Sequence, residues 1–392
     1  MKQNVHRLLK CPNQSFFLFG PRGVGKSTWI KKQNLFNVTL SLLDQEILIE
    51  LTHSPSSLRK KLRHLKKGDW VCIDEIQKIP SLLDEVHYLI EERGLQFSLT
   101  GSSARKLKRS GANLLAGRAV VRAMEQFSFA ELKDTFDLDS LLDWGGLPII
   151  MSGKSSKKDI LSAYVSTYLR EEIKEEGLVR KVEPFVRFLE VAGLVNGQIL
   201  NMGNISRDAK VKRPSVDTYF EILSDTLLGH LLYPYRPGLK VREVTHPKFY
   251  WFDPGVARAA AGLLNDPVDS VWKGFALETW IFHELRVFNE ISEKNRAIHY
   301  YRFGPGSEID FIIETKKKTH SNQAEVVCVE VKLSTKWDNQ WFNPIKNLRD
   351  TRKIVIKKAY GVYLGSKIIE SNDGIALPIE VFLKKLFNKE IF

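Results

Sequence analysis

Residues 15–30 read SFFLFGPRGVGKSTWI, and the run Gly20-Pro21-Arg22-Gly23-Val24-Gly25-Lys26-Ser27 has the residue types and spacing to hold a chain of phosphates. Glycines let backbone N–H groups curl around anionic oxygens, and a helix starting at the end of the loop adds its partial positive charge. In this pattern Lys26 reaches the β- and γ-phosphates of ATP. Ser27, with Thr28 beside it, stands where a Mg²⁺ ion needs a hydroxyl ligand. The same chemistry requires acids near the metal. Residues 70–75, WVCIDE, supply four apolar residues and then Asp74-Glu75, as a buried parallel strand with acids at its carboxyl end would. Asp74 is the candidate for organising Mg²⁺ and Glu75 for polarising an attacking water. An acidic helix cap would account for one acid but not for two adjacent ones. Thr100 or Ser102, after the next apolar run, could touch the γ-phosphate or the water, although Ser and Thr there also serve as helix caps. Arg118, in LLAGRAVV, is the first candidate for an arginine finger, with Arg105 and Arg122 as substitutes and a surface ion pair as the plain alternative.

A second constellation lies near the C-terminus. EIDFIIE (308–314) and VVCVEVK (326–332) are strand-like runs joined by the polar TKKKTHSNQAE. Side chains alternate along a strand, so Glu308 and Asp310 share one face, and Glu330 shares one with Lys332. A hairpin would bring Asp310 to Glu330 and Lys332 with apolar residues behind them. This Asp…Glu-x-Lys arrangement resembles that of the restriction-endonuclease-like nucleases. There, two carboxylates hold Mg²⁺ or Mn²⁺ and the lysine orients the water. Glu278, in GFALETWIFHEL, fits the place of a further ligand from a preceding helix. The competing reading is a half-exposed strand face on which charges alternate with valines, or a scaffold that has lost cutting.

The elements that must position these residues fall into three expected domains: 1–135 carrying the nucleotide site, 136–245 forming a helical lid and winged-helix-like region, and 246–392 carrying the nuclease-like strands. A chain of 392 residues exceeds one typical core. In the middle, SAYVSTYLREEIKEEGLV spaces apolar residues for a helix with Arg170, Glu171, Glu172 and Lys174 on its wet face. NISRDAKVKRPSVDTYFEILSD reads as helix–turn–helix, with Lys210, Lys212 and Arg213 around the turn and Thr218 and Tyr219 expected to point outward. The chain is 43% hydrophobic and 27% charged, a globular balance, and shows no apolar run of membrane length or signal-peptide core. Its three cysteines, Cys11, Cys72 and Cys328, lack metal-ligand spacing and suit a reducing cytoplasm. The net charge of +13 favours a polyanionic partner, DNA first.

Taken together, FGPRGVGKST, CIDEIQKIP, LTGSS with LLAGR, WGGLP, YWFDPGVARA, GFALETWIFHEL and the strand pair resemble the prokaryotic predicted ATPases of the AAA+ superfamily that carry an uncharacterised C-terminal domain. One departure is Gln126, where such proteins usually have proline. The resemblance implies an α/β nucleotide-binding domain and an ATP-favoured oligomer, such as a hexamer, in which Arg118 completes a neighbour's site. The combined expectation is an ATP-driven, Mg²⁺-dependent machine on DNA, with hydrolysis coupled to remodelling or to metal-dependent cutting. One rival is a nucleotide-switched signalling or interaction protein whose C-terminal domain is only a binding platform, and another is an ATPase acting on protein partners.

Overall fold

The computed structural model describes residues 5–105, 107, 115–153, 155–169, 182–236, 246–302, 307–352 and 354–392. The expected helix face at 170–174 lies outside them. The chain groups into two compact units: Met1–Phe127 with Leu147–Ser152 and Glu221–Leu228, and Ser128–Gly146 with Gly153–Phe220 and Gly229–Phe392. The segment expected as a separate middle domain is thus divided between them.

In the first unit, short apolar runs make a parallel sheet of β1 (Phe16–Phe19), β2 (Val38–Ser41), β3 (Trp70–Asp74), β4 (Gln96–Gly101) and β5 (Val120–Ala123). The order is β2-β3-β4-β1-β5, and each neighbouring pair runs parallel. All of β1 is buried, as is β3 up to Asp74, which is why both read as unbroken hydrophobic runs. Phe17, Phe19, Ile73, Phe97 and Leu99 from the strands share a core with Leu51, Leu82, Val86 and Leu89 from the connecting helices. The helix Leu82–Arg93 stops at Gly94, which takes the left-handed φ of 62° and donates its N–H to Ile90 O at 3.0 Å.

The second unit holds a mixed sheet of β8 (Ile298–Arg302), β9 (Glu308–Lys316), β10 (Glu325–Lys332), β11 (Val355–Tyr363), β12 (Ile369–Glu370) and β13 (Ile375–Pro378), ordered β12-β13-β11-β10-β9-β8. β9 and β10 form the expected antiparallel pair, with Cys328 opposite Ile312 and Val329 opposite Phe311. The helix Ser270–Ile291 begins at Asp269, which accepts from the Trp272 N–H, and buries Ala276, Trp280, Ile281 and Phe282. Phe282 stacks on Phe311 of β9 at 5.6 Å.

Helices Val182–Leu194, Met202–Asp208 and Arg213–Asp225 precede a two-stranded antiparallel sheet of β6 (Gly229–Leu232) and β7 (Lys248–Trp251). Thr218 is exposed as expected. Tyr219 is not: it is buried between Phe185 and Phe188, with ring centroids 5.0 and 5.1 Å away. Its ring gains more from that aromatic cluster than from water.

Two motifs far apart in sequence close on each other in this unit. Asp253 accepts from the Gly146 N–H at 2.8 Å and the Val256 N–H at 2.9 Å. A Cβ on Gly145 would stand 2.0 Å from Asp253 Oδ1, and one on Gly255 would stand 2.1 Å from the Trp144 carbonyl oxygen. Only glycine admits that approach.

Glu284 is fully buried on the long helix. One oxygen accepts from the Phe129 N–H at 2.7 Å, and the other is buried with no hydrogen-bond partner among the described residues. Burial pushes its carboxyl well above the ordinary value. Unfolding therefore releases a proton, so the stability this residue contributes is full below the ordinary carboxylate range and is lost as pH rises. Glu284→Gln is expected to abolish that dependence. Its stability advantage over wild type in denaturant titrations should widen above about pH 5, by up to about 1.4 kcal/mol per pH unit. A constant difference between about pH 5 and about pH 8 would show that Glu284 is not held neutral.

Candidate functional site

The loop between β1 and the helix Lys26–Lys32 is shaped by its glycines. Gly23 and Gly25 take φ of 83° and 92°, in the left-handed region. At Gly20 a Cβ would lie 2.1 Å from the Met124 carbonyl oxygen. Pro21 and Val24 are buried, whereas Arg22, Ser27 and Thr28 are exposed at the loop and the helix start. The Lys26 ammonium donates to the Gly20 and Pro21 carbonyl oxygens at 2.6 and 3.2 Å. A buried ammonium needs such acceptors.

Parallel strands deliver the acids. Asp74 ends β3, and its Oδ2 accepts from the Ser27 hydroxyl at 3.4 Å. Its Oδ1 accepts from the Thr100 hydroxyl, which β4 brings alongside. Thr100 thus orients the acid rather than projecting freely into the loop. Ser102, beyond the end of β4, accepts from the Gln77 amide at 3.3 Å, and the same amide donates to Glu75. Glu75 sits at φ 62°, a backbone region that side-chain-bearing residues rarely occupy. Gln77 escaped the sequence reading. Its signal was only its place two residues after the acids in DEIQ.

The candidate arginines have other partners. Arg118 pairs with Glu91 and thereby holds that carboxylate below its usual range. Arg105 is buried and pairs with Asp225, and Arg122 donates to Val121 O at 3.2 Å. Burial pushes the Cys72 thiol up to about 12, so it packs rather than reacts.

A hydroxyl and a carboxylate converging beside a glycine loop suit Mg²⁺, which takes oxygen ligands. Lys26 and the loop N–H groups suit the phosphates. The residues present fit a Mg²⁺-bound nucleotide, held by Gly20 to Thr28 together with Asp74.

The second unit brings together the other predicted group. Asp310 and Glu330 are buried. Asp310 Oδ2 accepts from the Val331 N–H at 2.8 Å and lies 4.0 Å from the Lys332 ammonium, which also pairs with Glu330. Glu278 arrives from the long helix and accepts from the Tyr250 hydroxyl at 3.1 Å. The unforeseen member is Lys248, at the start of β7. Its ammonium lies 3.5 Å from Glu278 Oε2 and 3.8 Å from Asp310 Oδ1, and it also pairs with Glu308.

Burial opposes the Lys248 charge, but Glu278, Tyr250, Asp310 and Glu308 outweigh it and hold the ammonium well above its usual range. Burial pushes the Glu278 carboxyl up to about 7, with Lys248 pulling the other way. It raises Glu330 well above the carboxylate range, with Asp310 adding to the effect. Among the described residues no group of three or more His, Cys, Asp or Glu side chains is placed to hold a metal ion. Glu278, Asp310 and Glu330 do come together, but not as the expected metal set, because a lysine stands among the oxygens. As arranged, this cluster does not fit a divalent ion.

Residues 12–133 match the family model described as AAA domain. Residues 135–266 match a domain of unknown function (DUF8612), and residues 273–382 another (DUF4143). The chain is similar to two uncharacterized proteins, Rv2008c of Mycobacterium tuberculosis and Mb2031c of Mycobacterium bovis. Each is 23% identical over 255 residues, a match covering 62% of this chain and 56% of theirs. The chain thus matches about half the length of these relatives. Two solved structures are similar at 12% identity. The Orc1 protein of Aeropyrum pernix, solved in complex with DNA, has a TM-score of 0.32, covering 66% of this chain and 87% of that one. Protein VC1899 from Vibrio cholerae has a TM-score of 0.22, covering 90% and 96%. The first domain is an α/β domain that matches the AAA domain model, followed by a helical middle and a C-terminal mixed-sheet domain. No helix among the described residues is long and apolar enough to cross a membrane.

Lys26→Ala removes the ammonium that a phosphate chain would displace from the Gly20 and Pro21 carbonyls. Affinity for a fluorescent ATP analogue is expected to fall at least about tenfold, the scale of a charge-assisted hydrogen bond. Unchanged affinity would put the phosphates elsewhere.

Proposed function

We propose that this chain is a Mg²⁺-dependent ATPase that acts on DNA, with hydrolysis at the first domain driving its remodelling. The observation carrying the ATPase part is the meeting of Ser27, Asp74 and Thr100 beside the glycine loop. Bound ATP supplies a transferable γ-phosphoryl group. Lys26 and the loop amides would bind and orient it, Asp74 and Ser27 would hold the metal, and Thr100 keeps Asp74 in place. Glu75, restrained by Gln77, would take the proton of the water as its oxygen bonds the γ-phosphorus and the bond to the β–γ bridging oxygen breaks, releasing ADP and phosphate. Its removal as Glu75→Gln is expected to leave ATP binding intact while slowing turnover by about 100-fold or more, measured as phosphate release. Wild-type turnover would displace Glu75 from this role.

DNA as partner is supported by the net charge of +13 and by Lys210, Lys212 and Arg213 around the turn between helices Met202–Asp208 and Arg213–Asp225. With the β6–β7 pair, these helices follow the element order of a winged helix. Phosphate release should rise several-fold when single-stranded, duplex or branched DNA is added, and the effect should weaken with salt. Turnover indifferent to all three but raised by a protein partner would favour the switch reading instead.

Arg118 is assigned as a finger in an ATP-favoured oligomer, because its partner Glu91 is exposed and such a pair is readily exchanged. Mixing Arg118→Ala with Glu75→Gln subunits should restore part of the lost turnover. No recovery in confirmed mixed assemblies would remove the finger in trans.

The C-terminal domain is read as a nuclease-type scaffold, from the placement of Asp310, Glu330 and Lys332 on β9 and β10. With a lysine among its acids, its role is to hold DNA rather than cut it.

A further inference from the structure

The C-terminal cluster poses a charge problem that its strand pair alone does not solve. Glu278, Glu308, Asp310 and Glu330 converge from a helix and two strands, and like charges at such range repel unless a cation stands between them. In the nuclease arrangement a divalent ion is that cation. Here Lys248 reaches Glu278, Glu308 and Asp310 at once. Its ammonium also donates to the Tyr250 hydroxyl at 3.4 Å and lies 5.8 Å from the Tyr300 ring centroid.

The lysine is not a passing surface chain. Its side chain is 4% exposed, and its backbone is pinned from two sides, paired with Leu232 of β6 and bridged to Ile199. The two oxygens of Asp310 are divided between opposite flanks, Oδ1 toward Lys248 and Oδ2 toward Lys332 and the Val331 N–H. A divalent ion ligated by Asp310 and Glu278 would need the side on which Lys248 stands.

We propose that Lys248 is the resident cation of this acidic cluster, standing in the place of a divalent metal and keeping Mg²⁺ and Mn²⁺ out. The proposal rests on the nuclease-type reading of the cluster and specifies how it is regulated. A fixed ammonium supplies charge balance without an ion's open coordination positions or its activation of water. The scaffold is thereby held folded but unloaded. Lys332 remains, and it cannot substitute, because it lies on the Glu330 flank.

The test is Mn²⁺ binding to the full-length, nucleotide-free protein, followed by electron paramagnetic resonance, with Mn²⁺ alone as the probe. Wild type is expected to bind weakly. Lys248→Met, which keeps the stem's length and removes the charge, is expected to bind at least about tenfold more tightly, since one unit charge acting on a divalent ion at a few ångströms is worth that much even in a high dielectric. The gain should vanish when Asp310→Asn is added. Lys248→Arg should bind as weakly as wild type. Should Lys248→Met fail to fold, Lys248→Met/Glu308→Gln removes one charge of each sign and should show the same tightening.

No tightening in either variant, or a gain that survives Asp310→Asn, overturns the proposal. Mn²⁺-dependent DNA cleavage by wild type that Asp310→Asn abolishes also overturns it, while upholding the nuclease scaffold. If Lys248→Met gains Mn²⁺ and yet neither protein binds DNA through this domain, the inference stands and the DNA-holding role fails.

Discussion

The Asp74 carboxylate meets hydroxyls from two different elements, Ser27 of the helix after β1 and Thr100 of β4. A carboxylate at the edge of a packed interior must find donors or a cation, and its choice fixes what surrounds it. Here one donor comes from β4, the direct neighbour of the acid's own β3, and the other from the helix that follows β1, on the far side of β4. The register of three parallel strands is therefore set by a polar contact as well as by the apolar core beneath it. The loop, the acid and the threonine stand together because the sheet cannot shift one of them alone.

The same constraint governs the second unit with a different outcome. Its acids Asp310 and Glu330 are buried, and Glu330 keeps one oxygen without a hydrogen-bond partner among the described residues. Cations answer the need: Lys332 on one flank and Lys248 on the other. Two acidic sites in one chain thus differ in what neutralises them. The first is met by the Ser27 and Thr100 hydroxyls, and the second by the Lys332 and Lys248 ammonium groups.

The glycine loop, the acids after β3 and the pairing of EIDFIIE with VVCVEVK were legible because each rests on local pattern, either glycine spacing or the period of two along a strand. Strands β1, β3, β4 and β5 and the β9–β10 pair follow from such patterns, whereas β2, β8 and β11 to β13 did not stand out in the sequence. Lys248 was not legible. It enters the cluster from a strand distant in sequence, whose neighbours Phe249, Tyr250 and Trp251 announce burial rather than chemistry. Gln77 and the Thr100 hydroxyl were missed in their actual contacts because a side chain's partner depends on rotamer and depth, which spacing does not carry. Tyr219 was misread for a related reason. A helix–turn–helix pattern suggests an outward face, but the aromatic neighbours Phe185 and Phe188 come from another helix and claim the ring.

The contact between Asp253 and the Gly145-Gly146 pair has a consequence for the order in which the chain is made. All five strands of the first sheet lie between Phe16 and Ala123, so that sheet has its full set early during synthesis, when the ribosome has not yet delivered the rest. Trp144 and its glycines, by contrast, have no place to dock until Asp253 and Gly255 emerge. The chain between them must wait, unclosed, for a partner more than a hundred positions downstream, as long-range contacts form late and slowly. Trp144 and its glycines therefore reach their native contacts only after residue 255 has been made.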